Sequence, residues 1–205
     1  MPVCLKSSDV FINCPFDPGY RRIFDAIVFA VYHLGFKARC ALEDDDAGEV
    51  RLAKIERIIE ECRFGINDLS AVELDAVTGL PRFNMPLELG MFFGCKRFGP
   101  ANQKKKRTLV LDREPYRYRQ FISDIAGQDI RAHDGNPERA IREVRDWLQA
   151  TSKRSGLPGG GEIIENCRRF QTDLPTLCAV AGLEPDRLTF IDLATMITDW
   201  LRSNR

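Results

Sequence analysis

DVFINCPFDPGYRRIFDAIVFAVYHLG, residues 9 to 35, changes its hydrophobic period half-way along. Asp9 to Phe16 is a short β-rich apolar run halted by Pro15, the pattern of a buried strand. Pro18 then stands where a helix tolerates proline, near its N-terminus, and Gly35 closes the segment. Between them Ile23, Ala26, Ile27, Ala30, Val31 and Leu34 recur at three and four, which gives a helix with a buried face. A buried strand feeding directly into such a helix is the first half of a βαβ unit.

The unit repeats. FKARCAL (36–42) reads as a second strand, EDDDAGE (43–49) as a solvated acidic loop and VRLAKIERIIEEC (50–62) as an amphipathic helix. RFGINDLS (63–70) is a third strand with a polar carboxyl end, followed by a loop from Ala71 to Arg82 that contains Gly79 and Pro81. NMPLELGMFF (84–93) begins a helix from about Pro86, with Asn84 placed to cap it. KKKR (104–107) reads as a solvated loop before the fourth strand, RTLVLD (107–112). YRYRQFISDI (116–125) suggests a helix, QDIRAH (128–133) a fifth strand, and NPERAIREVRDWLQAT (136–151) a helix started by Asn136 and Pro137. Strands alternating with helices predict an α/β fold: a flavodoxin-like parallel five-stranded sheet, order 2-1-3-4-5, with helices on both faces.

After residue 151 the strands stop. SKRSGLPGGG (152–161) reads as a flexible linker, and 162–205 as a small helical appendage of three short helices, EIIENCRRF, LPTLCAVAGL and FIDLATMITDWL. So short a segment cannot be counted on to form its own core, so its apolar faces need a partner, the α/β domain (1–151) or a second subunit. The sequence reading favours a homo-oligomer, with truncation after Thr151 giving a soluble monomer.

Composition excludes several classes. Thirty basic and thirty acidic residues give a net charge of zero, which argues against direct nucleic-acid binding. A hydrophobic fraction of 44% and a charged fraction of 29% are those of an ordinary globular chain. The absence of a long apolar run or a signal-like N-terminus predicts a cytoplasmic protein with no membrane contact. Seven cysteines without a C-x-x-C pair read as buried free thiols. His33 and His133 lie far apart, without metal-ligand spacing, so no metal is expected.

Within this frame Glu88 is the anomaly, an acid between two leucines in an apolar helix. In an open parallel sheet ligands bind beyond the carboxyl ends of the strands, where the strand order reverses. That edge gathers Asn13, Cys14, Pro15, Phe16 and Asp17 from strand 1, and Asn67, Asp68 and Ser70 from strand 3. Arg82, Phe83, Asn84 and Glu88 join them from the next helix and its approach. A carboxylate with apolar neighbours there has its pKa raised, as a base or nucleophile needs. Arg82 is a phosphate ligand by type, and Phe16 and Phe83 are candidate walls for a base.

DVFINCPFD followed by a helix, with LELGMFFGCKR before a strand, resembles the nucleoside 2-deoxyribosyltransferase-like proteins. The opening DVFIN with its acidic loop also resembles Toll/interleukin-1 receptor (TIR) domains, which share the fold. The resemblance covers residues 9 to 112. It implies that Glu88 is the carboxylate that attacks the anomeric carbon, and that Asn13 to Asp17 cradle base and sugar. Cys14 stands where the family has glycine, and the acidic partner a few residues before the glutamate is replaced by RFNMP. The expected activity is therefore hydrolysis of an N-glycosidic bond in NAD or another nucleotide, which would be substrate or ligand with no separate cofactor. A silent TIR-like nucleotide sensor and a base-exchanging transferase remain alternatives, and the TIR likeness implies a role in bacterial antiphage defence.

Overall fold

The computed structural model describes residues 5–44, 46, 48–72, 74 and 79–204. Two positions of the acidic loop (45 and 47), five of the loop after strand 3 (73 and 75–78) and Cys4 lie outside them. The five strands are β1 (Lys6–Asn13), β2 (Lys37–Arg39), β3 (Cys62–Asp68), β4 (Arg107–Asp112) and β5 (Ile130–Ala132). They form one parallel sheet in the order 2-1-3-4-5, the flavodoxin-like arrangement that the alternation predicts.

Alternation of side chains along the strands builds two cores. Val10, Ile12, Phe64, Ile66, Leu109 and Leu111 face α1 (Arg21–His33) and α4 (Pro137–Ser152). Phe11 and Val110 face the opposite layer, α2 (Arg51–Glu61) and α3 (Asn84–Phe98). α3 approaches β3 closely because Gly65 has no side chain: a Cβ there would lie 2.7 Å from the Phe92 ring. The turn after α1 needs Gly35, whose φ is +74°.

The tail departs from its predicted form. The first two short helices are one, α5 (Gly160–Ala181), running through Pro175, and α6 (Phe190–Ser203) follows. α6 starts with a capping box between Thr189 and Asp192. α5 packs on α1 and α4, and α6 on α1 and α5, in the same apolar cluster as the sheet. Phe29 of α1 meets Phe170 of α5 at 5.5 Å and Trp200 of α6 at 6.0 Å. Each such buried side chain contributes roughly 1.5–3 kcal/mol. The predicted linker is pinned and shortened, since α4 reaches Ser152 and the triple glycine opens α5. Arg154 lies over the Phe36 ring and donates to Gly35 O, and Arg145 donates to Pro158 O.

Three local readings also change. Residues 116–125 form two short 3-10 turns, because Tyr116 takes a left-handed conformation (φ 62°) that a helix cannot propagate. Asn84 is the first residue of α3 and not its cap; Phe83 precedes it with no side-chain cap bond. Lys106, read as part of a solvated loop, is fully buried. Its ammonium donates to Ile59 O and Cys62 O at 2.5 Å each and lies 4.6 Å from the Phe92 ring centroid, capping the end of α2. Burial pushes its pKa down to about 8. No helix among the described residues is long and apolar enough to cross a membrane.

Candidate functional site

Register decides what meets at the carboxyl edge of the sheet. Asn13, the last residue of β1, is paired with Asn67 of β3, and their side chains project to the α3 face. The Asn13 amide donates to Asn67 Oδ1 (3.1 Å) and to Met85 O (2.8 Å) in the first turn of α3. Both of its protons are thereby engaged, and it ties α3 to the sheet three residues before Glu88. Asn67 Nδ2 is left buried with no hydrogen-bond partner among the described residues.

Glu88 is 8% exposed on α3. Among the described residues no ion pair or hydrogen bond reaches its carboxylate. Burial pushes its pKa up to about 7, against the opposing charge of Arg51 at the start of α2. Cys14, just past β1, is buried too. Its thiol is raised first by burial and then by the charges of Asp68 and Glu88, so it lies within electrostatic reach of both carboxylates.

Asp68 points to the other face of the sheet and is fully buried. It accepts from Tyr20 Oη at 2.5 Å and from Ser70 N at 2.8 Å, and His133 Nε2 lies 3.0 Å away. Gly135 N donates to His133 Nδ1 at 3.0 Å, which leaves the ring proton on Nε2, shared between Asp68 and the Ser70 hydroxyl at 2.9 Å. Burial opposes the Asp68 charge, but hydrogen bonds from His133, Ser70 and Tyr20 outweigh it and hold the pKa below the usual value. Nearby, Asp112 at the end of β4 binds Arg113 N and Arg117, while its Oδ2 has no hydrogen-bond partner among the described residues.

The expected site residues thus divide. Asn13, Cys14 and Glu88 come together around the ends of β1 and the start of α3. Asp68 and Ser70 share the same edge, but their polar atoms are closed inside the α1 side. Asp17 and Arg82 pair with each other at 2.6 Å, half-exposed, and join the loop after β1 to the approach to α3. Phe16 (37% exposed) packs edge-on against Phe24, whereas Phe83 (68%) and Asn84 are open to solvent; Pro15 is buried. Among the described residues, surface cavities of about 380–750 Å³ open elsewhere and are lined by other residues.

No protein-family model matches the chain, and no curated protein matches it. Its chemistry therefore rests on the geometry of these residues. Tyr20 and His133 are the members that sequence reasoning misses. The available signal was position: His133 is the residue after β5, so the parallel topology carries it to the same edge as Asp68. Glu88 has the property a general base needs near neutrality, a carboxyl group populated in both forms.

Proposed function

We propose that the protein hydrolyses the N-glycosidic bond of a nucleotide, NAD among the candidates, with Glu88 as the carboxylate that meets the developing sugar cation. One observation carries this reading: a carboxyl group 8% exposed, unpaired among the described residues and raised to about 7 at the carboxyl edge of a parallel sheet. As the C1′–N bond breaks, its electron pair leaves with the base and positive charge spreads over C1′ and the ring oxygen. A carboxylate held away from water stabilises that charge more strongly than a solvated one. A cationic substrate also draws Glu88 into its ionised form as it binds. Water then adds to C1′, and Glu88 or solvent takes its proton. Phe16 and Phe83 offer apolar walls for the base, and Arg82, beside Asp17, offers a charge for phosphate.

A second reading, nucleotide binding without reaction, is favoured by the state of Asp68. Asp68 is enclosed by Tyr20, Ser70 and His133, while Asp17 pairs with Arg82 and Asp112 with Arg117, so none of these carboxylates is free to serve Glu88 as an acidic partner. Incubation with NAD and a panel of nucleotides, followed by chromatography for free base, separates the two. Base release by the native protein and its loss in Glu88→Gln is the expected result. Binding by calorimetry with no base released supports the sensor, and exchange with an added acceptor base would indicate the transferase.

A further inference from the structure

α3 ends in an unusual surface. Phe98, its last residue, is 87% exposed and follows Lys96 and Arg97. Exposed Lys104 and Lys105 come next, and Phe93, Phe98, Lys96, Arg97 and Lys104 line a cavity of about 750 Å³. Several arginines of this electroneutral chain are held in ion pairs, among them Arg21, Arg39, Arg57 and Arg131. Among the described residues Lys96, Arg97, Lys104 and Lys105 pair with no carboxylate. This end of α3 is a basic knob with an apolar tip.

The complementary surface lies across the molecule. α5 and α6 leave a groove of about 570 Å³ between them, floored by Leu177, Leu183, Met196 and Trp200. Asp173, Asp192 and Asp199 stand around it, with Arg169 at one edge, donating to Asn204 Oδ1 at 3.0 Å and 5.5 Å from the Trp200 ring. Arg202 pairs with Asp199 at 3.1 Å, while Asp173 accepts from Trp200 Nε1 and Asp192 from Thr189, so two of the three acids lack a cation among the described residues. Knob and groove sit on opposite sides of the sheet, in the α2/α3 layer and in the α5/α6 layer outside α1 and α4. One copy cannot close the contact on itself.

We propose that Phe98, with Lys96 and Arg97, docks into the α5/α6 groove of a second copy, giving head-to-tail self-association. The match is one of sign and of character: an aromatic tip among cations meets an apolar floor among acids. Because the two surfaces differ, the contact is heterologous, and it grows into a ring or an open chain. The proposal does not depend on what Glu88 does.

Sedimentation velocity of the full chain over a range of concentrations tests it. Mass should rise with concentration and fall with added salt, because the charges face each other at the rim. Phe98→Asp removes the knob and Thr176→Arg puts a cation into the groove; both positions are exposed, so thermal melts should match the native protein. Each variant alone should associate about thirtyfold more weakly, the loss expected of a central interface side chain. Mixed one to one, they should recover a dimer and nothing larger, since the groove of the first and the knob of the second are intact. A protein that stays monomeric at every concentration overturns the proposal. So does association that survives both substitutions, or a mixture that recovers no dimer.

Discussion

At the scale of single residues, Glu88 links the sequence anomaly to a measurable quantity. Its neighbours are apolar, so folding favours the protonated carboxyl group and raises its pKa from 4.5 to about 7. The sign follows: the folded state binds the extra proton between these values, so the stability contributed by Glu88 is complete below pH 4.5 and is lost as pH rises through 7. Glutamine does not titrate. The stability gained by Glu88→Gln should therefore grow by up to about 3 kcal/mol between pH 4.5 and pH 8, which urea melts at both values would read. A gap that stays constant with pH would show that the carboxylate is not desolvated. Arg82→Ala should weaken nucleotides more than the matching nucleosides, by about 1 kcal/mol at this half-exposed site, and calorimetry on both classes checks it. Glu88 was legible because an acid within an apolar helix breaks a pattern. The Tyr20–Asp68–His133 bonds were not, since they join residues from three separated segments, and no local pattern records such a meeting.

Elements were legible where a period ran long enough to be read. The five strands and the helices 21–33, 51–61 and 137–152 fall within a few residues of their predicted bounds, and the parallel order follows from their alternation. Reading failed where a single residue overrides the pattern. Tyr116 stops a helix that the following residues suit, and Pro175 fails to stop one. An interior proline costs an isolated helix about 3 kcal/mol. α5 continues because Ile163, Ile164, Cys167, Phe170 and Cys178 are buried on both sides of it. The contact between α3 and β3 gives the prediction at this scale. Gly65→Ala would set a methyl 2.7 Å from the Phe92 ring, so α3 must lift from the sheet. We expect a loss of about 1–3 kcal/mol and, because Glu88 rides on α3, a lower Glu88 pKa as water reaches it. Thermal melts and an NMR titration of Glu88 would test both parts. A destabilised variant with an unmoved Glu88 would uncouple the helix contact from the site.

For the whole molecule the decisive feature is how α1 is covered. The predicted face, Ile23, Ala26, Ile27, Ala30, Val31 and Leu34, turned on one side of the helix, yet Phe24, Val28 and Phe29 are buried as well. A helix apolar all round is enclosed on all sides, and that second set was the sign in the sequence that something covers α1 from outside. The cover is the tail: Phe190 meets Phe24 at 6.2 Å, and Phe170 and Trp200 enclose Phe29. The inner apolar faces of the tail are thus satisfied within one chain, with only the groove between α5 and α6 left open, and the prediction for truncation reverses. Removing residues 152–205 should expose Phe24, Phe29, Ile141 and Val144 as an apolar surface on α1 and α4. Each of these side chains contributes roughly 1.5–3 kcal/mol when buried, so losing even a few rivals the 5–15 kcal/mol that holds a whole domain folded. The shortened chain should aggregate or fail to melt cooperatively, in place of the soluble monomer expected from sequence. Light scattering and calorimetry on the two lengths decide between them. A soluble truncated monomer with a sharp transition would mean that the α/β body is stable without its outer helices, and that the tail serves some purpose other than closing the core.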